Sequence, residues 1–172
     1  DWEALKPIAP VFITYILSFV LVGIYWNNHH HLLHAADRIT GGILWANLHL
    51  LFWLSLFPFM TAWMGENHLA GIPTAVYGFV LLMAAIAYYV LQRTIIAREG
   101  RGWLLAQAIG KDRKGKLSPL LYFAAIPLAF VSARIAAGLY VFVALLWFIP
   151  DPRMSGRLKS AKSKQDEMAF AW

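Results

Sequence analysis

Five stretches of this chain contain no Lys, Arg, Asp or Glu, and they leave few folds open. They run from Pro7 to Ala36, Ile39 to Gly65, Asn67 to Gln92, Leu117 to Ala133 and Ile135 to Pro150. A helix needs about 20 apolar residues to cross a bilayer. The first three stretches exceed that length and the last two lie near its lower limit. Soluble domains are about one quarter charged, whereas this chain is 14% charged and 60% hydrophobic. No stretch alternates apolar and polar residues as a membrane barrel strand would. The expected fold class is therefore all-α integral membrane. Five transmembrane helices are predicted at about 8–34, 40–64, 72–97, 118–131 and 135–149, forming a transmembrane helical domain over 1–150. A basic tail follows over 151–172.

Punctuation residues set the predicted ends. Pro10 and Pro73 suit first helical turns, where the missing N–H would be unpaired anyway. The run PDP at Pro150–Pro152 stops the last helix. Residues 117–150 would make one long rod only if Pro127 were tolerated without a kink. A single rod would also put the basic tail and the basic loop on opposite faces of the bilayer. Two helices with Arg134 at an external turn avoid both problems.

Charge then orients the bundle. Arg93, Arg98, Arg101, Lys111, Arg113, Lys114 and Lys116 cluster between the third and fourth helices, and Arg153, Arg157, Lys159, Lys162 and Lys164 fill the tail. The connection GENHLAG around Glu66 has no Lys or Arg. The positive-inside rule places the two basic regions in the cytoplasm and GENHLAG outside. Counting back, Arg38 is cytoplasmic and Asp1 external. Multi-spanning chains usually start inside, so one further helix before Asp1 is expected, making six. The net charge of +6 fits basic loops against anionic lipid, and no nucleic-acid partner is expected, since no recognition module is present. Trp2, Trp26, Trp45, Trp63, Trp103 and Trp147 fall near predicted helix ends, as an aromatic belt with wet indole N–H groups would. GWLLAQAIG, at 102–110, reads either as an interfacial segment or as an ordinary loop.

The polar residues inside these helices are the candidate functional groups. Thr14, Ser18, Tyr25 and His29 share one stripe of the first helix. Asn47, Ser55 and Pro58 form a looser stripe on the second. Such stripes face protein or water, because hydrocarbon offers no hydrogen-bond partner; helix packing and a wet ion path both remain open. The run YWNNHHHLLHAADRI holds four of the six histidines. His30 and His34 lie four apart and could chelate a metal with His49 as a third ligand, but a transition-metal site usually wants three or four ligands. Asp37 is the only nearby carboxylate, and the chain has no Cys. Position favours a different reading, with no metal. At a helix end imidazoles complement unpaired carbonyls, and Trp45 and Asn47 open the next helix at the same level. An inter-helix polar network of Asn28, His29, His30, Trp45 and Asn47 is expected, centred on His29 or His30. No nucleophile elbow, P-loop or paired intramembrane carboxylates appear, and there is no TVGYG-type filter.

Three runs carry a family resemblance: LKPIAPVFITYILSFVLVGIYWNNHHHLLH, ILWANLHLLFWLSLFPFMTAWMGE and LYFAAIPLAFVSARIAAGLYVFVALLWFIPDPR. Their joint GIYW–HH, W-x-N-L, LFPF and WFIPD elements resemble the transmembrane protein 175 family in its bacterial form, from about Leu5 to Arg153. The resemblance implies a potassium-permeable channel in the cell (inner) membrane, multi-pass, with potassium as the permeant ion and no cofactor. It implies a homo-tetramer of six-helix subunits, whose pore is lined by the first helix and narrowed by apolar side chains. That helix carries an Arg-x-x-x-Phe-Ser-Asp stretch that does not occur in this chain, so pore-lining residues are expected on a preceding helix. Its Asp and Ser would lie level with His29, His30, Trp45 and Asn47 and are expected to bond them. The expected function is a channel subunit, not an enzyme. A membrane metal- or haem-binding enzyme using the His29–His34 cluster is the alternative, and a carrier is a third reading that the lack of intramembrane carboxylates disfavours.

Overall fold

The computed structural model describes residues 9–34, 36, 38–99 and 113–148. The loop patch at 102–110, the tail 151–172, Trp2, Trp103, Asp37 and the Thr14 side chain lie outside the described residues. Among the described residues six helices follow in order: α1 (Ala9–His34), α2 (Gly41–Ser55), α3 (Phe57–Glu66), α4 (Gly71–Glu99), α5 (Arg113–Val131) and α6 (Ala133–Phe148). Among the described residues there is no strand. Helix is the natural answer to such apolar runs, because every backbone N–H and C=O must find its partner within the segment once water is excluded.

The predicted second helix is two. Pro58 has no N–H to give the Leu54 carbonyl. The ladder is interrupted at Leu56, whose N–H instead donates to Trp53 O at 3.3 Å, before Met60 N resumes on Leu56 O at 3.0 Å. The interruption is brief, and Gly41–Glu66 remains 26 residues of apolar helix, long enough to cross a membrane; among the described residues Gly71–Arg98 is another such helix. The fourth helix also starts earlier than the predicted 118. It runs upstream through Pro119 to Arg113, since a helix can hold an interior proline by giving up one hydrogen bond. Arg134 sits in the first turn of α6, directly after the break at Ser132.

Paired contacts show that neighbours run antiparallel. Ser18 meets Thr61 and His29 meets Asn47, so α1 runs against α2–α3. Trp53 faces Phe79 at 6.0 Å and Phe57 faces Tyr77 at 6.3 Å, so α2–α3 runs against α4. Gly71 lies against Ala129 and Gly78 against Ile126, while Ser118 meets Trp147. α4 is the hub, packed on α2, α3, α5 and α6. This up-and-down order gathers Arg38, Arg93, Arg98 and Lys116 at one end of the bundle and leaves Arg134 at the other.

Small residues let the helices approach. Ala84, Ala87, Ala125 and Ala136 are fully buried on α4, α5 and α6, which suits membrane helices, where close packing replaces the hydrophobic drive between helices. Large apolar side chains point outward instead: Val131 is 83% exposed and Phe19 69%. A protein surrounded by water rarely presents so continuous an apolar surface. The turn between α3 and α4 is tied by Asn67, whose side-chain amide donates to Trp63 O at 2.8 Å. It places His68 (φ 50°) and Leu69 (φ 59°) in the left-handed region.

Candidate functional site

The seam between α1 and α2–α3 carries two polar pairs, one in the middle of the helices and one at the end rich in basic residues. In the middle, the hydroxyls of Ser18 and Thr61 bond each other, both fully buried. Thr61 Oγ1 has one proton, and it is directed to its own helix, at 2.8 Å from Phe57 O and 3.1 Å from Pro58 O. Thr61 is therefore the acceptor for Ser18.

At the basic end, His29 Nε2 bonds Asn47 Oδ1. An amide oxygen only accepts, so Nε2 carries the proton in this arrangement. His29 is 9% exposed, and each partner satisfies the other in a site that water reaches poorly. The two pairs lie eleven residues apart on α1 and fourteen apart on α2–α3. The kinked path needs three more residues to cover the same span.

The other members of the expected network go elsewhere. Asn28 Nδ2 turns back to Ile24 O at 2.8 Å, and the Asn28 carbonyl accepts from Tyr88 Oη at 3.4 Å, which links α1 to α4. His30 is exposed and stacks on Trp26, with ring centres 5.1 Å apart and planes 17° apart. It also meets His34, with ring centres 4.3 Å apart and planes 73° apart. Positions 26, 30 and 34 thus form an aromatic ladder on the outer face of α1. Trp45 is 73% exposed.

The alternative metal ligands His30, His34 and His49 are not brought together. His49 Nε2 accepts from Trp53 Nε1 at 2.9 Å on α2, and among the described residues no three His, Cys, Asp or Glu side chains group as a metal site would need. The reason is rotational: His30 and His34 lie on the outward side of α1, away from the His29 face that meets α2.

Thr61 escaped the sequence reading, although it lies two heptads after Asn47 and so on the same stripe of the second apolar run. An aromatic core escaped it as well. Tyr25 meets Phe57 edge-on at 5.7 Å and Tyr88 at 6.3 Å; Tyr77 meets Tyr140 at 5.5 Å, and Tyr140 meets Tyr122 at 6.2 Å. Edge-on rings put the positive rim of one on the negative face of the next. Trp147, expected to keep its indole N–H in the wet interface, turns inward and donates to Ser118 Oγ at 2.8 Å. Beside it lies a partly open cavity of about 30 Å³, bordered by Tyr25, Asn28, Tyr88, Gln92, Ser118 and Trp147. That is room for about one water.

The family described as endosomal/lysosomal potassium channel TMEM175 matches residues 1–58. A potassium channel of Chryseobacterium sp. (strain P1-3) is 50% identical over 159 residues, spanning 92% of this chain and 83% of that protein. A potassium channel of Streptomyces collinus is 30% identical over 94 residues, 52% of this chain and 46% of its own length. One of Chamaesiphon minutus is 25% identical over 155 residues, 85% of this chain and 74% of its own length. No solved structure matches the chain.

Proposed function

Because the chain belongs to the transmembrane protein 175 family in its bacterial form, we propose that it is a potassium channel subunit that works as a homo-oligomer, with four copies around a central pore. The observation that carries this reading is the half identity to the Chryseobacterium potassium channel across 92% of the chain. In this reading the path runs between copies and not through one. An apolar ring contributed by a helix preceding α1 narrows that path, and potassium crosses by partial dehydration there, without a carbonyl filter. No cofactor takes part. The ends of the bundle rich in Arg and Lys face the cytoplasm, as does the C-terminus, and the membrane is the bacterial inner membrane.

In this reading α1 and α2–α3 brace the pore helix. The Ser18–Thr61 and His29–Asn47 pairs hold the brace in one register, and His29, His30, Trp45 and Asn47 offer polar and aromatic edges to the Asp and Ser of the preceding helix. The test is potassium flux into liposomes reconstituted with the full-length protein, driven by a potassium gradient and read with a proton-coupled dye. Flux well above that of empty vesicles is expected. Flux no greater than in empty vesicles, with correctly folded protein present, overturns the proposal.

A further inference from the structure

The last three turns of α4 carry a shallow groove lined by Tyr89, Val90, Arg93, Thr94, Ala97 and Arg98. Residues 89, 93 and 97 form one ridge of the helix and 90, 94 and 98 the next, because positions four apart stack along the surface. We propose that this groove binds the phosphate of an anionic phospholipid between Arg93 and Arg98. The proposal rests on the membrane reading of the bundle but not on its conducting potassium.

Arg93 is held ready. Its Nε donates to Tyr89 Oη at 2.7 Å, and its guanidinium carbon lies 5.0 Å from the centre of the Tyr89 ring. Those two ties leave the terminal nitrogens to meet an anion, and a guanidinium fork matches phosphate oxygens in pairs. Among the described residues neither Arg93 nor Arg98 has a carboxylate partner. The C-terminal end of α4 carries about half a negative charge from its dipole, which two full positive charges outweigh. Toward the middle of the helix the same side continues as exposed Ile86, Tyr89 and Val90. A free phosphate has no use for that apolar strip, whereas an acyl chain lies along it. The groove also stands at the end of the bundle that gathers the basic residues, where headgroups sit.

The experiment is native mass spectrometry of the full-length protein, delipidated in detergent and then titrated with phosphatidylglycerol, with phosphatidylcholine of the same chains, and with inorganic phosphate alone. A basic side chain near an anionic surface contributes about fivefold in affinity. Phosphatidylglycerol adducts should therefore exceed phosphatidylcholine adducts at least tenfold. Arg93→Gln and Arg98→Gln should each lower that preference about fivefold. Arg93→Lys, which keeps the charge, should retain most of it, and Arg134→Gln at the opposite end of the bundle should leave it unchanged. Equal retention of the two lipids overturns the proposal, as does an equal loss in Arg134→Gln. Arg93-dependent binding of inorganic phosphate without a lipid preference overturns it too.

Discussion

Gly78→Ala puts the α4–α5–α6 seam under direct strain. A Cβ at position 78 would overlap the Tyr140 hydroxyl, lie 2.8 Å from Tyr140 Cζ and 3.2 Å from Ile126 Cγ1. Tyr140 has little room to yield. It is 4% exposed, its hydroxyl donates to Thr74 O at 3.2 Å, and its ring meets Tyr77 and Tyr122. Displacing it loses a hydrogen bond of about 1 kcal/mol and weakens two ring pairs of about 0.5–1.5 kcal/mol each. Against that stands a gain of about 1 kcal/mol from replacing Gly by Ala inside a helix. A net destabilisation of about 1–3 kcal/mol is expected, in the range of other overpacked cores. Thermal or denaturant unfolding in detergent micelles measures it. Tyr140→Leu should abolish most of the penalty, so that the two substitutions couple by more than about 1 kcal/mol in a double-mutant cycle. If Gly78→Ala is as stable as the wild type or more so, the close approach of α4 to Tyr140 is wrong and the seam must be drawn differently.

Three further perturbations probe the rest of the bundle. Asn47→Leu strips the buried His29 N–H of its acceptor and should cost about 1–3 kcal/mol; adding His29→Leu should recover part of the loss, and a larger loss in the double variant would contradict the pairing. His68→Gly should stabilise by about 1 kcal/mol, because glycine adopts the φ of 50° without steric cost; unchanged or lower melting would show that the His68 side chain makes a compensating contact. Pro58→Ala supplies the N–H that Leu54 O lacks and should join α2 to α3, raising hydrogen-exchange protection at Leu56–Met60. Unaltered protection there would mean that packing, not proline, interrupts the helix.

The helices themselves were legible because their cause is local. An apolar run that excludes water leaves its backbone no partner but itself, so length and charge spacing were enough to place each run in a helix. The reversal at Ser132 was legible too, through the charges on either side of Leu117–Pro150. Proline was read less well. Pro58 appeared as one polar-stripe member within a continuous helix, yet it divides α2 from α3, and the helix expected from about Ser118 begins at Arg113 with Pro119 inside it. A proline reports a missing donor, and whether the chain bends, breaks or carries on depends on what the neighbouring helices reward.

Side-chain partners divide along the same line. Helical spacing put Ser18 and His29 on one stripe of α1 and marked His29 and Asn47 as lying at one level. It could not tell that Thr61 would meet Ser18, because that match depends on three extra residues taken up along the kinked α2–α3 path. Nor could it separate His29, turned into the seam, from His30 one residue on, stacked outside on Trp26, since the rotation of α1 about its axis is set by the helices packed against it. What the sequence determined alone is the class of structure, for apolar length acts on each segment by itself. What only the tertiary structure decided is which polar atoms meet, because hydrogen bonds tolerate errors of a few tenths of an ångström and that accuracy comes from whole helices settling against one another.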